Sequence, residues 1–77
     1  MEIRIGVTQS PRDIEIEVDD GTDREALRTQ VSAALAGEVS VLWLTDRKGR
    51  EVAVAAEKIA FVEIGHPEQQ RSMGFGA

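Results

Sequence analysis

The chain contains no cysteine. That removes a disulfide framework, a thiolate nucleophile and any Cys-ligated zinc site. Seventy-seven residues without such staples must rely on a small core or on a partner. Tyrosine is absent, and there are one tryptophan and two phenylalanines, so few large side chains can anchor that core. Histidine occurs once, at His66. No Ser, Cys or Asp stands at a recognisable spacing from it, which excludes the usual nucleophile–base pairs. No apolar run approaches the roughly 18 residues of a membrane span. The opening Met1 to Ile5 shows strand alternation and an early acid, not the basic and apolar regions of a signal peptide. A cytoplasmic protein is the expectation. A net charge of −5 disfavours non-specific binding to nucleic acid or anionic lipid.

What is present is strand chemistry. Residues 39–64 hold the only Trp and three β-rich runs separated by short breaks, and the rest of the chain should pack on them. Ahead of them, Ile3, Ile5 and Val7 alternate with Glu2, Arg4 and Gly6, which reads as a half-buried strand. Thr8 to Pro11 is turn chemistry. Ile14, Ile16 and Val18 alternate with Asp13, Glu15, Glu17 and Asp19, a second strand with an acidic outer side. The short turn favours an antiparallel hairpin, with Arg4 and Arg12 offsetting Glu15 and Glu17 across it.

Thr22 and Glu25 fit a capping box. A helix is predicted over 23–36, its buried stripe made by Leu27, Val31, Ala34 and Leu35, with Gly37 ending it. In residues 39–45, Val41 and Trp43 fall on one side and Leu42 and Leu44 on the other. A strand apolar on both sides reads as central and covered twice. Asp46 to Gly49 is a hairpin turn with Gly supplying positive φ. Val52 and Val54 continue the meander, Ala56-Glu57-Lys58 reads as a helical turn aiming Ile59 inward, and 59–64 is the last strand.

The predicted architecture is α+β in the order ββαβββ: one helix packed on a mostly antiparallel five-stranded sheet. A sheet order 2-1-3-4-5 satisfies the patterns, and a β-grasp-like order is the alternative. Residues 1–65 form the domain. Residues 66–77 are a polar linker ending in Met73-Gly74-Phe75-Gly76-Ala77. One helix covers only one sheet face, so either Trp43 or the pair Leu42 and Leu44 must point away from it. The cover could be a curled meander, the Met73–Phe75 end, or a second subunit.

The acids Asp13, Glu15, Glu17 and Asp19 solvate a strand without converging on a point. Asp19 to Asp23 resembles a calcium loop but lacks its remaining oxygens and the bidentate Glu at position 12. No Gly-rich phosphate loop opens the helix, and Asp19, Asp20, Asp23 and Glu25 would repel a phosphate there. Arg47, Lys48 and Arg50 give a basic hairpin tip near Trp43, a sparse version of an RNA-stacking surface.

Four segments together carry a resemblance. They are Met-Glu-Ile-Arg-Ile-Gly-Val at the start, Leu-Thr-Asp-x-Lys-Gly-Arg at 44–50, Ala-Glu-Lys-Ile-Ala-Phe-Val-Glu-Ile-Gly at 56–65, and the final Gly-Phe-Gly. In these the chain resembles a family of small actinobacterial proteins of unknown function, over nearly its whole length. Arg71-Ser72-Met73-Gly74-Phe75-Gly76 matches that family's ending with Met in place of Val. The resemblance implies a cytoplasmic protein with no established catalytic residues. An ATP-binding role has been attached to some members, which makes ATP an alternative ligand.

The residues favour a non-enzymatic interaction or regulatory module. Its contacts would be Trp43, Arg71, Met73, Gly74, Phe75 and Gly76, toward a protein partner or a second copy. A nucleotide-binding regulator and an RNA-contacting protein are the alternatives, both using Arg47, Lys48 and Arg50. No metal or resident cofactor is expected.

Overall fold

A computed structural model describes residues 1–65. Strand β1 (Glu2–Val7) and strand β2 (Ile14–Glu17) form an antiparallel hairpin, with Ile3 opposite Ile16 and Ile5 opposite Ile14. Helix α1 (Arg24–Leu35) follows, then β3 (Val41–Thr45), β4 (Glu51–Ala55), a 3-10 turn (Ala56–Lys58) and β5 (Ile59–Ile64). The fold is α+β with the order ββαβββ that the alternation and capping residues predict.

The strands divide into two antiparallel sheets, which corrects the continuous order 2-1-3-4-5. β1 lies between β2 and β5, and β3 pairs with β4 alone. The 3-10 turn makes the division. Ala56 N–H donates to the Ser40 carbonyl and closes the β3–β4 ladder; Thr8 N–H donates to the Lys58 carbonyl, where β5 begins its ladder with β1. A corner of this kind lets one strand path serve two sheets. It also aims Ile59 into the core, as the sequence predicts. A register shift between Gly6 and Val7 adjusts β1 to the corner. β1 and β5 run antiparallel, unlike the parallel first and last strands of a β-grasp arrangement.

The helix start also differs from expectation. Asp23, not Thr22, is the N-cap, and its carboxylate accepts from the amides of Glu25 and Ala26. A charged acceptor at 23 outcompetes a hydroxyl one residue earlier. The C-terminus is a Schellman motif: Glu38 N–H donates to Ala33 O, Gly37 N–H to Ala34 O, and Gly37 takes φ 79°. Leu27, Val31 and Ala34 are buried as predicted, whereas Leu35 is half exposed.

The core lies between the inner sheet faces and α1. Ile3, Ile5 and Leu42 are its fully enclosed large side chains, joined by Ile16, Leu27, Val31, Leu44 and Val54. The Met1 amino group sits at the β1–β2 end. Burial opposes its charge, but hydrogen bonds to Asp20 and Glu17 outweigh that and raise its pKa. No helix among the described residues is long and apolar enough to cross a membrane.

Candidate functional site

The two sheets present different outer faces. On the three-stranded sheet Arg4 is the hub. It pairs with Glu63 at 2.6 Å and Asp13 at 3.6 Å, and its guanidinium stands 5.8 Å from the Phe61 ring centroid. Arg4 lies opposite Glu15 in the register, yet the ion pairs go to Asp13 and Glu63; Arg12 makes none among the described residues. Phe61 in turn lies across Gly6, where a Cβ would come within 2.1 Å of the ring. Absence of a side chain at position 6 therefore makes room for the aromatic. This face is charged, with Phe61 40% exposed and Glu15 outside the Arg4 ion pairs.

The β3–β4 hairpin is the opposite case. Leu42, Leu44 and Val54 point inward and are buried. The outward row is Val41, Trp43 and Thr45 on β3, opposite Ala55, Ala53 and Glu51 on β4. Trp43 is 60% exposed and Val41 37%, which makes the indole the most exposed large apolar group among the described residues. The reading of β3 as a strand covered on both sides is thus overturned: its Leu row faces the core and its Trp row faces out. A two-stranded sheet has no central strand, and α1 is spent on the inner side. The small Ala53 opposite Trp43 leaves no bulky β4 side chain to shield the indole.

The basic turn is held by Asp46. Its carboxylate accepts from the amides of Lys48 and Arg50 and from Arg50 Nε at 2.7 Å, and Gly49 takes φ 89°. The Arg50 side chain, its amide and the Lys48 amide hold the Asp46 pKa below the ordinary carboxylate value. Arg47 N–H donates to the Glu17 carbonyl and ties the turn to β2. Arg47 and Lys48 form no ion pair among the described residues.

A cleft of about 570 Å³ lies between this turn and β2. Its volume would suit a nucleotide. However, Glu15, Glu17, Asp46 and Glu51 line it beside the cations, and Asp46 already engages Arg50. That balance opposes a polyanion. On the outer face the Thr45–Glu51 pair separates Trp43 from the turn, which sets a carboxylate between the indole and the cations. No three His, Asp or Glu side chains gather as a metal site requires among the described residues.

A family model described as "Protein of unknown function (DUF3107)" matches residues 1–76. The chain belongs to this family. No curated protein matches it. The DUF3107 match spans both the described domain and the segment carrying Arg71, Met73, Gly74, Phe75 and Gly76; those five site candidates, and His66, lie outside the described residues. Of the DUF3107 chain's remaining candidates, Trp43, Arg47, Lys48 and Arg50 all fall on one hairpin. Val41, Ala53 and Ala55 complete the outward apolar row. Their signal in the sequence was the two-sided pattern of 41–44 followed by alternating alanines.

Proposed function

We propose that this protein is a non-enzymatic interaction module of the cytoplasm that binds protein through the outer face of the β3–β4 hairpin, with Trp43 as its anchor. The observation that carries the reading is the contrast between faces. One sheet fills its outer side with charge, where Arg4 pairs with Glu63 and Asp13 beside a Phe61 that is 40% exposed. The other leaves Val41, Trp43, Ala53 and Ala55 uncovered, with Glu51 as the charged member of the row. Trp is enriched at interface centres, where a large rigid group loses little entropy on burial. In this reading Met73 and Phe75, with Arg71 and the flanking Gly74 and Gly76, supply a second contact from the C-terminal segment.

The test is a comparative affinity purification from native lysate. Wild-type protein, Trp43→Lys and a chain ending at Glu68 serve as baits. A partner retained by wild type and lost with Trp43→Lys is the expected result; identical protein sets for these two baits would overturn the reading. Loss with the shortened chain assigns the second contact. The competing ligand is ATP or RNA at the basic turn. An ATP–magnesium titration is expected to leave the amides of Arg47, Lys48 and Arg50 unshifted, and shifts there would favour that ligand instead.

A further inference from the structure

Edge strands expose unpaired backbone groups, and proteins guard them with charge, proline, bulges or a covering element. Three of the four sheet edges among the described residues are guarded. β2 carries Glu15 and Glu17. β5 carries Glu63, and Arg24 of α1 reaches across its end to donate to the Ile64 and Gly65 carbonyls. β4 opens with Glu51 and runs into the Glu57–Lys58 turn. β3 reads Val-Leu-Trp-Leu-Thr, with neither charge nor proline.

The hydrogen-bond parity shows which β3 groups are free. Ala56 N–H bonds Ser40 O at one end of the hairpin and Asp46 N–H bonds Arg50 O at the other. In an antiparallel ladder the bonded pairs alternate, so Leu42 and Leu44 bond to β4. Val41, Trp43 and Thr45 direct their N–H and C=O groups away from β4, along an edge that β2 meets only at the turn, through the Arg47 N–H bond to the Glu17 carbonyl. Among the described residues, the exposed side chains and the backbone groups without a strand partner therefore belong to the same three residues.

From this we infer that β3 pairs antiparallel with β3 of a second copy, with Trp43 on the two-fold axis. The inference deepens the interaction reading by naming the occupant. A dyad at Trp43 sets Trp43 against Trp43 and Val41 against Thr45, matching the whole strand and allowing about six new backbone bonds. It joins two β3–β4 hairpins into one four-stranded sheet with a paired indole on its outer face, the kind of cross-strand aromatic contact that stabilises sheets. Such an interface is isologous and closed. Charge complementarity supports this register. Antiparallel pairing carries the Arg47–Lys48 turn of one copy toward Glu38 of the other, and none of these three makes an ion pair among the described residues. The joint is short, about 17 Å of strand, so the dimer is concentration-dependent.

Sedimentation equilibrium from about 5 μM to about 1 mM spans the affinities such a joint supports. Wild-type mass is expected to rise from 8.4 kDa toward twice that value. Thr45→Pro removes an N–H that points to the open edge and leaves the β3–β4 ladder bonds in place, so it should remain monomeric. Val41→Lys should do the same without altering the backbone; amide spectra confirm that each variant is folded. Trp43→Ala should weaken association by about fivefold or more. In a chain free of cysteine, Trp43→Cys should oxidise to a disulfide dimer, because facing Cα atoms lie about 5.5 Å apart. Val41→Cys should not, because its copies sit about 13 Å apart.

A wild-type chain that stays at 8.4 kDa throughout would overturn the second copy as occupant. Doubling that survives both Thr45→Pro and Val41→Lys would overturn the β3 edge. If a monomeric wild type still captures a Trp43-dependent partner, the interaction reading stands and only the self-pairing fails.

Discussion

Gly6 and Phe61 show how one missing side chain shapes a surface. The Phe61 ring occupies the space a Cβ at position 6 would need. Gly6→Val should cost about 1–3 kcal/mol through overpacking, read from urea unfolding. Combining it with Phe61→Ala should recover part of that loss, because the two sites share one volume. Asp46 is the second informative residue. Its pKa is lowered in the folded chain by the Arg50 side chain, the Arg50 amide and the Lys48 amide. The stabilisation is present above the unfolded carboxylate value and is lost as pH falls through the lowered one. Asp46→Asn should therefore reduce stability at neutral pH and flatten the acid limb of the stability–pH curve, as thermal unfolding at stepped pH would show. Both residues were visible in the sequence as turn or strand members. Their partners were not, because Phe61 and Gly6 meet only through the pairing of β5 with β1.

At the scale of elements, local chemistry was highly legible. Alternation located the strands, Gly37 marked the helix end and Gly49 the β3–β4 turn, and the 3-10 turn at Ala56–Lys58 was readable from a break between two apolar runs. The cap moved by one residue because Asp23 and Thr22 compete for the same amides. Asp23→Ala should cost about 1 kcal/mol of stability, with loss of helical circular dichroism on earlier melting as the check; Thr22→Ala should cost less. Strand pairing was not legible. Val62 and Ile64 carry no mark that their neighbours are Ile5 and Ile3; that choice follows from the corner's direction. β3 was misread for a related reason. A two-sided apolar pattern fits a central strand and also an edge strand built for contact, and only the sheet count separates them.

For the whole molecule, the central point is an asymmetry between two outer faces, one charged around Arg4, Asp13 and Glu63 and one apolar around Trp43. An exposed anchor contributes to binding and not to folding. Trp43→Lys should therefore alter the unfolding free energy by no more than about 0.5 kcal/mol while abolishing association, a split that denaturation and capture measured on the same variant would reveal. The position of the Trp was plain in the sequence, and its exposure followed only once a single helix had to serve two sheets.

The most direct measurement is residue-resolved amide hydrogen exchange along β3 at low and high protein concentration. The account predicts protection of Leu42 and Leu44 under both conditions. Val41, Trp43 and Thr45 should exchange quickly in dilute solution and become protected in concentrated solution. Equal, fast exchange of those three at both concentrations would contradict β3 self-pairing. Protection already complete in dilute solution, and lost in a chain ending at Glu68, would show that the C-terminal segment covers the edge instead.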